Sequence, residues 1–188
     1  MQPPTPFSYA SLWASIFDSR AHTRRKLPST QRPPRSEGSM RMISTEFDEL
    51  QRLTDAKFTW DAYAPDTGSV MGCPSFSSQS KPFLQSDING HHVWLFCPYS
   101  SIESCIQHIY KAWSTTHDTS ACVLIPQSMS YVVDCFDGFA QQLAKYPANA
   151  RIFTDGISPR RFGTSQPLCA YHIPPRPMRT NCLCNSLL

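Results

Sequence analysis

The chain has 188 residues, of which 40% are hydrophobic, with 17 prolines, 8 cysteines and a formal net charge of +3. This length allows one buried core, and because the prolines crowd both ends we expect one domain with flanking arms. No run of about 18 apolar residues occurs, so no membrane span is predicted.

Charge is divided unevenly along the chain. Residues 1–43 carry seven Arg or Lys side chains against two acidic ones, a net +5, whereas residues 44–175 carry eight basic and twelve acidic ones, a net −4. Arg176 and Arg179 supply the remaining positive charge. Because duplex DNA is bound largely by neutralising its phosphates, DNA affinity is expected mainly from the basic arms.

The N-terminal arm contains two different segments. Residues 23–42 are rich in Arg, Pro, Ser and Gln and poor in large apolar residues. We therefore expect the basic arm, residues 1–43, to be disordered. Residues 8–17 have helical apolar spacing, which fits either a short docking helix or an apolar patch in a loose arm.

The expected compartment is intracellular, either nuclear or cytoplasmic. No basic segment precedes the apolar stretch near the N-terminus, so a secretory signal is not predicted. The cysteines are therefore expected to be reduced and to pack as small hydrophobic side chains. Six of them belong to the predicted domain, namely Cys73, Cys97, Cys105, Cys122, Cys135 and Cys169.

The domain is predicted to begin with a helix and a strand. From Ser44 onward apolar residues recur at helical spacing, and Thr45 followed by Asp48 resembles a capping box. Residues 58–62 then have the character of a strand. A loop rich in glycine, serine and proline follows over residues 65–85.

The middle of the chain alternates strands and helices. Residues 93–96 form a short apolar strand, and Ser100 with Glu103 resembles a second capping box, at the start of a helix predicted over 101–113. Residues 121–125 are a continuous apolar run of the kind found in buried parallel strands.

The last predicted elements are a helix and two strands. Apolar spacing predicts a helix over 131–144, and residues 151–153 and 168–173 are predicted strands. Strands alternating with helices imply right-handed βαβ units. The predicted fold class is therefore α/β, a mostly parallel sheet with helices on both faces, in which 93–96 and 121–125 are central neighbours.

Four sequence blocks occur in an order that carries a family resemblance. Phe58 to Ala64 is similar to a Phe-x-Leu-Asp-x-x-Ala block, and Val93 to Tyr99 is similar to a strand with its catalytic turn. Ala121 to Pro126 is similar to a Leu-Leu-x-Pro strand, and Arg151 to Phe153 to an Arg-x-x-Phe strand. Together they resemble the phage-type DNA adenine-N6 methyltransferase (Dam-like) family, which also occurs in retroelement polyproteins. The resemblance covers residues 44–175 and implies a Rossmann-like methyltransferase sheet.

The resemblance identifies a catalytic turn. The family has Asn-Pro-Pro-Tyr or Asp-Pro-Pro-Tyr where this chain has Phe96, Cys97, Pro98 and Tyr99. In the family, the first side chain and the next carbonyl accept hydrogen bonds from the amine of a flipped adenine, and the aromatic ring stacks on the base. Tyr99 keeps a stacking ring, but Phe96 offers no acceptor and Cys97 lacks the fixed proline geometry.

Two interpretations of this turn stay open. Loss of one preorganised polar contact costs on the order of a hundredfold to a thousandfold in rate, so the resemblance implies a catalytically impaired enzyme. Alternatively, Phe96 is simply the last core residue of a strand and Tyr99 an ordinary turn aromatic.

Asp61 is the candidate cofactor-binding residue. The resemblance places it at the strand-end Asp that contacts S-adenosylmethionine in the family, and a carboxylate suits hydroxyl or amino donors. The sequence has no G-x-G cofactor loop. The alternative role for Asp61 is a strand-end cap.

Two other groups of side chains are weaker candidates for a functional site. Cys97 near His91 and His92 suggests a Cys-His nucleophile pair, although the histidines more simply close a turn. Cys182 and Cys184 lack further ligands at metal spacing, so no metal is expected.

The sequence thus favours a methyltransferase-like domain of retroelement or phage descent with an impaired active site. The alternatives are an active S-adenosylmethionine-dependent DNA adenine methyltransferase and a non-enzymatic protein that binds nucleic acid or a partner through its basic arms.

The charge pattern yields one testable prediction. Deleting residues 1–42 is expected to abolish salt-sensitive DNA binding, because the arm carries the excess positive charge. Fluorescence anisotropy with a labelled duplex at several salt concentrations measures this, and an unchanged affinity in the truncated protein would contradict it.

Overall fold

The structure, a computed structural model, describes residues 41–154 and 160–177. The predictions for residues 1–40 and for Cys182 and Cys184 lie outside the described residues.

The described chain contains nine strands and two α-helices. The strands are β1 (Arg41–Met42), β2 (Trp60–Asp61), β3 (Ser75–Phe76), β4 (His92–Leu95), β5 (Ser120–Pro126), β6 (Gln141–Tyr146), β7 (Phe153–Thr154), β8 (Arg161–Phe162) and β9 (Leu168–Ile173). The α-helices are α1 (Ser44–Thr54) and α2 (Ile102–Thr115), and short 3-10 helices span Phe83–Gln85, Tyr99–Ser101 and Gln127–Phe136.

Six strands form the main sheet in the order β3-β2-β4-β5-β9-β6. Strands β3, β2, β4 and β5 are parallel, whereas β9 runs antiparallel to both of its neighbours. Val93 pairs with Ala121 and Leu95 with Val123, so the predicted central pair is confirmed. The α/β class and the mostly parallel sheet are likewise confirmed.

Strands β1, β7 and β8 form a separate antiparallel sheet. The predicted strand at 151–153 therefore lies at Phe153–Thr154 and outside the main sheet. Arg41 and Met42, which the charge pattern assigns to the arm, form β1, and Met42 is buried. A truncation that tests the arm without removing this strand thus ends at residue 40.

Alternate residues of the central strands supply two different cores. Val93 and Leu95 face one core together with the apolar side of α2 and the 3-10 helix 127–136. Trp94 faces the other core, with α1 and Phe153 of the small sheet. Both faces of the main sheet are covered, as predicted, but on the second face a helix and a small sheet share that role.

The helix predicted over 131–144 is wrong. A 3-10 helix ends at Phe136, because Asp137 and Gly138 adopt left-handed conformations with φ of 52° and 80°. The chain then enters β6, which pairs with β9 through an irregularity between Gln142 and Ala144. The tertiary pairing overrides the helical spacing of the apolar residues.

Both predicted capping boxes are also wrong. The N-cap residues are Ile43 for α1 and Ser101 for α2, and neither side chain caps its helix. The carboxylate of Glu103 instead accepts a hydrogen bond from the Tyr131 hydroxyl at 2.8 Å. Glu103 thereby ties α2 to the 3-10 helix 127–136.

A buried histidine lies at the amino end of the sheet. The Nδ1 of His92 is 2.6 Å from Ser120 Oγ, its Nε2 is 3.3 Å from Thr54 Oγ1, and its ring stacks on Phe58. Burial lowers the pKa of His92 to about 4, and the neighbouring His172 adds to this. His92 is therefore neutral in the folded protein at neutral pH.

The low pKa of His92 predicts acid destabilisation. Between about pH 6.5 and pH 4 the unfolded state binds more protons than the folded state, so stability falls as the pH decreases through that range. His92 alone is expected to remove about 2 kcal/mol of unfolding free energy between pH 8 and pH 5. Urea unfolding of wild type and His92→Gln at both pH values measures the difference.

The matched control is His117→Gln, which changes an exposed histidine. It is expected to keep the wild-type pH dependence. An equally steep pH dependence in His92→Gln would contradict the assignment.

Candidate functional site

All five sequence-predicted site residues meet at one cavity. Asp61 ends β2, and residues 96–99 follow the neighbouring parallel strand β4. Asp61, Phe96, Cys97, Pro98 and Tyr99 line a cavity of about 380 Å³ at the carboxyl ends of these strands. This is the edge of an α/β sheet at which ligands typically bind.

The carboxylate of Asp61 is buried and held in a fixed position. Its Oδ2 accepts a hydrogen bond from the Ser69 hydroxyl at 2.8 Å, and its Oδ1 accepts one from the Tyr63 backbone amide at 3.1 Å. Burial raises the pKa of Asp61, although both hydrogen bonds counteract this. Each oxygen keeps a lone pair for a further donor.

Ser69 connects Asp61 to the loop that forms one wall of the cavity. While its hydroxyl donates to Asp61, its oxygen accepts the backbone amides of Met71 and Cys73, each at 3.2 Å. Gly68 and Gly72 have φ of 124° and 78°, conformations that side chains with a β-carbon rarely adopt. The loop therefore folds around a single serine.

Phe96 is half-buried and lines the cavity. Its ring stacks on Phe153 of β7, with centroids 4.8 Å apart and an interplanar angle of 16°. Phe153 in turn stacks on Phe162 of β8 at 6.3 Å. Phe96 thus attaches the end of β4 to the small sheet and presents no polar atom to the cavity.

Cys97 and Pro98 shape the turn through buried contacts. The neighbouring Cys105 thiol and burial together raise the pKa of the Cys97 thiol. The carbonyl of Pro98 accepts the Ser101 amide at 2.9 Å, which starts the 3-10 helix.

The Cys-His pair that the sequence suggested is not formed. His91 and His92 lie at the amino end of β4, and Cys97 lies beyond its carboxyl end. Five residues of extended chain separate His92 from Cys97 by roughly 16 Å. A histidine on this strand therefore cannot activate the thiol.

Tyr99 remains partly open to solvent, with 39% of its surface exposed. Burial of the rest raises the pKa of its phenol, and a hydrogen bond with the Thr164 side chain opposes the shift. Thr164 is positioned by Gly163, where a β-carbon would overlap the backbone of Asn149 and Ala150. The ring of Tyr99 is thus held at the rim of the cavity.

Two larger cavities adjoin the candidate site. One of about 950 Å³ shares Arg41, Met42, Val70 and Met71 with it. The other, of about 720 Å³, shares Tyr63 and reaches the start of α2. The candidate site therefore shares part of its wall with each of the two larger cavities.

Among residues 41–154 and 160–177 no group of three or more His, Cys, Asp or Glu side chains is arranged to hold a metal ion. No helix in the same part of the chain has the length and apolar character needed to cross a membrane. The six cysteines of the described residues are free, as predicted, and Cys135 alone among them is only half-buried.

No protein-family model matches this chain, and no match is found among curated proteins.

Sequence analysis predicted the residues on the two strand ends but missed those supplied by loops. Tyr63, Ser69, Met71 and Thr164 come from segments without regular periodicity. The pair Gly68 and Gly72 was the available signal, since two glycines around a serine favour a tight loop.

The network around Ser69 yields a stability prediction. Ser69→Ala is expected to lower the unfolding free energy by about 1–3 kcal/mol, because it removes a donor to a buried carboxylate and an acceptor of two amides. Ser80→Ala is the control, since its hydroxyl bonds Asp66 at the surface. Equal unfolding free energies of the two variants in urea titration would contradict the role of Ser69.

Proposed function

We propose that this chain is a methyltransferase-like domain of phage or retroelement descent that binds S-adenosylmethionine and is impaired as a DNA adenine-N6 methyltransferase. The observation that carries the proposal is the convergence of Asp61 and residues 96–99 on one cavity. Those residues were selected by family resemblance from two separate blocks, and their meeting at adjacent strand ends supports the resemblance.

The order of the sheet is a second support. β9 lies antiparallel between β5 and β6, which run in the same direction as each other. An antiparallel strand near one edge of an otherwise parallel sheet is common in doubly wound α/β folds, the class that the resemblance implies. The covered faces of the sheet agree with it.

The cavity residues fit S-adenosylmethionine. A volume of about 380 Å³ lies within the range of small-molecule sites. The Asp61 carboxylate suits the hydroxyl and amino donors of such a ligand, and Tyr63 and Tyr99 supply aromatic surface. When bound, the cofactor supplies an electrophilic methyl group on sulfur.

The residues of this chain can fill only some of the roles that the methyltransferase family requires. Asp61, fixed by Ser69, orients a donor group, and Tyr99 offers a ring to a planar base at the rim. The phenyl ring of Phe96 has no oxygen or nitrogen to align an adenine amine, and it stacks on Phe153. We therefore expect the chain to bind S-adenosylmethionine but to transfer its methyl group poorly.

The alternative of an active enzyme depends on a substitute acceptor at the turn. The Pro98 carbonyl already accepts the Ser101 amide, and the Cys97 thiol is only a weak acceptor. The turn therefore favours impairment over activity. The proposal includes DNA contact through the basic arms, because residues 1–43 carry a net charge of +5.

The proposal predicts a gain of function in a double variant. Phe96→Asn with Cys97→Pro restores an amine acceptor and a rigid turn together, and methyl transfer to DNA is expected to rise by about a hundredfold or more. Transfer of labelled methyl from S-adenosylmethionine to duplex DNA measures it, with circular dichroism to verify folding.

The matched control is Phe96→Leu with Cys97→Pro, which also loses the stacked ring but adds no acceptor. It is expected to stay inactive. Wild-type activity equal to that of the Asn-Pro variant would contradict the impairment. A folded Asn-Pro variant that neither binds cofactor nor transfers methyl would contradict the proposed function itself.

A further inference from the structure

Two arginines lie in one row across the small sheet. Arg41 of β1 is paired with Thr154 of β7, and Thr154 is paired with Arg161 of β8. Residues directly opposite each other on antiparallel strands point to the same face of a sheet, so the two guanidinium groups share a face with the threonine hydroxyl between them. The α-carbons of Arg41 and Arg161 are therefore about 10 Å apart.

The neighbouring row of the small sheet shows which face this is. Met42, Phe153 and Phe162 are also opposite one another, and all three pack with the core on the second face of the main sheet. Because successive residues of a strand point to opposite faces, the arginine row points away from that core. All three residues of the arginine row keep some exposure to solvent. They therefore lie on the outer face of the small sheet.

The arginine row lines the cavity of about 950 Å³ beside the candidate site. Lys57, which precedes β2, lines the same cavity. Among the lining residues that the structure describes, three are basic and only Asp48 is acidic, a net charge of +2. Residues 44–175 carry a net charge of −4. Positive charge is thus concentrated at this cavity on an otherwise acidic domain.

We propose that Arg41, Lys57 and Arg161 form a binding site for a phosphate group. A guanidinium presents parallel N–H donors to two phosphate oxygens, and an ammonium adds a point charge. The hydroxyl of Thr154 is a further donor between the two arginines. A phosphate monoester carries about −1.5 to −2 charges at neutral pH, so three cations suit it better than they suit a carboxylate with a single charge.

The size and the position of the cavity suit a phosphorylated molecule. Its volume lies near the upper end of the range of small-molecule sites. Arg41 lines both this cavity and the candidate site, so a phosphate bound there lies where the two cavities meet. Two sources offer this group, namely a small organic phosphate and the phosphates of a nucleic acid. Phosphate binding requires neither S-adenosylmethionine nor methyl transfer and is therefore independent of the proposed function.

Isothermal titration calorimetry of the full-length protein with pyrophosphate at low salt tests the site. We expect wild type to bind, and Arg161→Gln to bind about tenfold or more weakly, because it loses charge-assisted hydrogen bonds. Lys57→Gln is expected to weaken binding less, since it removes a point charge but leaves both guanidinium groups. Both side chains are exposed, and circular dichroism verifies that the variants fold.

Arg151→Gln is the control, because Arg151 is also exposed and lies close to β7 but does not line the cavity. It removes the same charge as Arg161→Gln, and the basic arm is intact in both variants. We expect Arg151→Gln to bind pyrophosphate as wild type does.

A duplex oligonucleotide without terminal phosphates, added as a competitor, identifies the source of the phosphate. Displacement of pyrophosphate from wild type assigns the site to nucleic-acid phosphates, and retention of pyrophosphate assigns it to a small organic phosphate. Either result requires that Arg161→Gln weaken pyrophosphate binding. A wild-type protein that does not bind pyrophosphate, or an equal affinity in Arg161→Gln and Arg151→Gln, would overturn the proposal.

Discussion

The parallel pairing of β4 with β5 is the constraint on which the rest of the structure depends. Every residue of both strands is buried, and their register runs from His92 opposite Ser120 to Leu95 opposite Val123. Because successive side chains point to opposite faces, this pair supplies both cores at once. It also fixes where β4 ends, and hence where residues 96–99 leave the sheet.

The two ends of this strand pair serve different purposes. At the amino end, His92 is satisfied by Ser120 and Thr54 in a closed polar cluster, which is a structural arrangement. At the carboxyl end, Asp61 and Tyr99 border open volume. A buried carboxylate that borders a cavity at the carboxyl edge of a parallel sheet has the environment of a ligand site, so the proposed function belongs to this end.

Phe96 has a packing role at the position where the family resemblance would place a polar acceptor. A polar residue at this position would face the cavity without the stack that Phe96 makes on Phe153, whereas the phenyl ring joins the main sheet to the small sheet. Full burial of a phenyl ring contributes about 1.5–3 kcal/mol, and the half-buried Phe96 contributes part of this. Phe96 therefore contributes to packing between the two sheets and offers no acceptor to the cavity.

Sequence analysis predicted the elements whose apolar pattern agrees with their tertiary environment. The periodic face of α2, the apolar run of β5 and the strand β9 appear at or near their predicted bounds. The segment 131–144 was misassigned because β6 is an edge strand with a single buried side chain, and its pairing with β9 is not local. The second capping box failed for a related reason, since Glu103 is engaged by Tyr131 from another element. The strand ends that carry Asp61 and residues 96–99 were predictable from sequence, whereas the loop residues around them depend on a network centred on Ser69.

Amide chemical-shift mapping tests the central claim most directly, because it asks where S-adenosylmethionine binds. In a titration of isotope-labelled protein, the amides of Tyr63, Ser69 and Tyr99 are expected to shift, while those of His92 and His172 at the opposite end of the sheet stay in place. The shifts should be reduced in Asp61→Asn. An absence of shifts at the carboxyl edge, or shifts confined to the histidine end, would contradict the account.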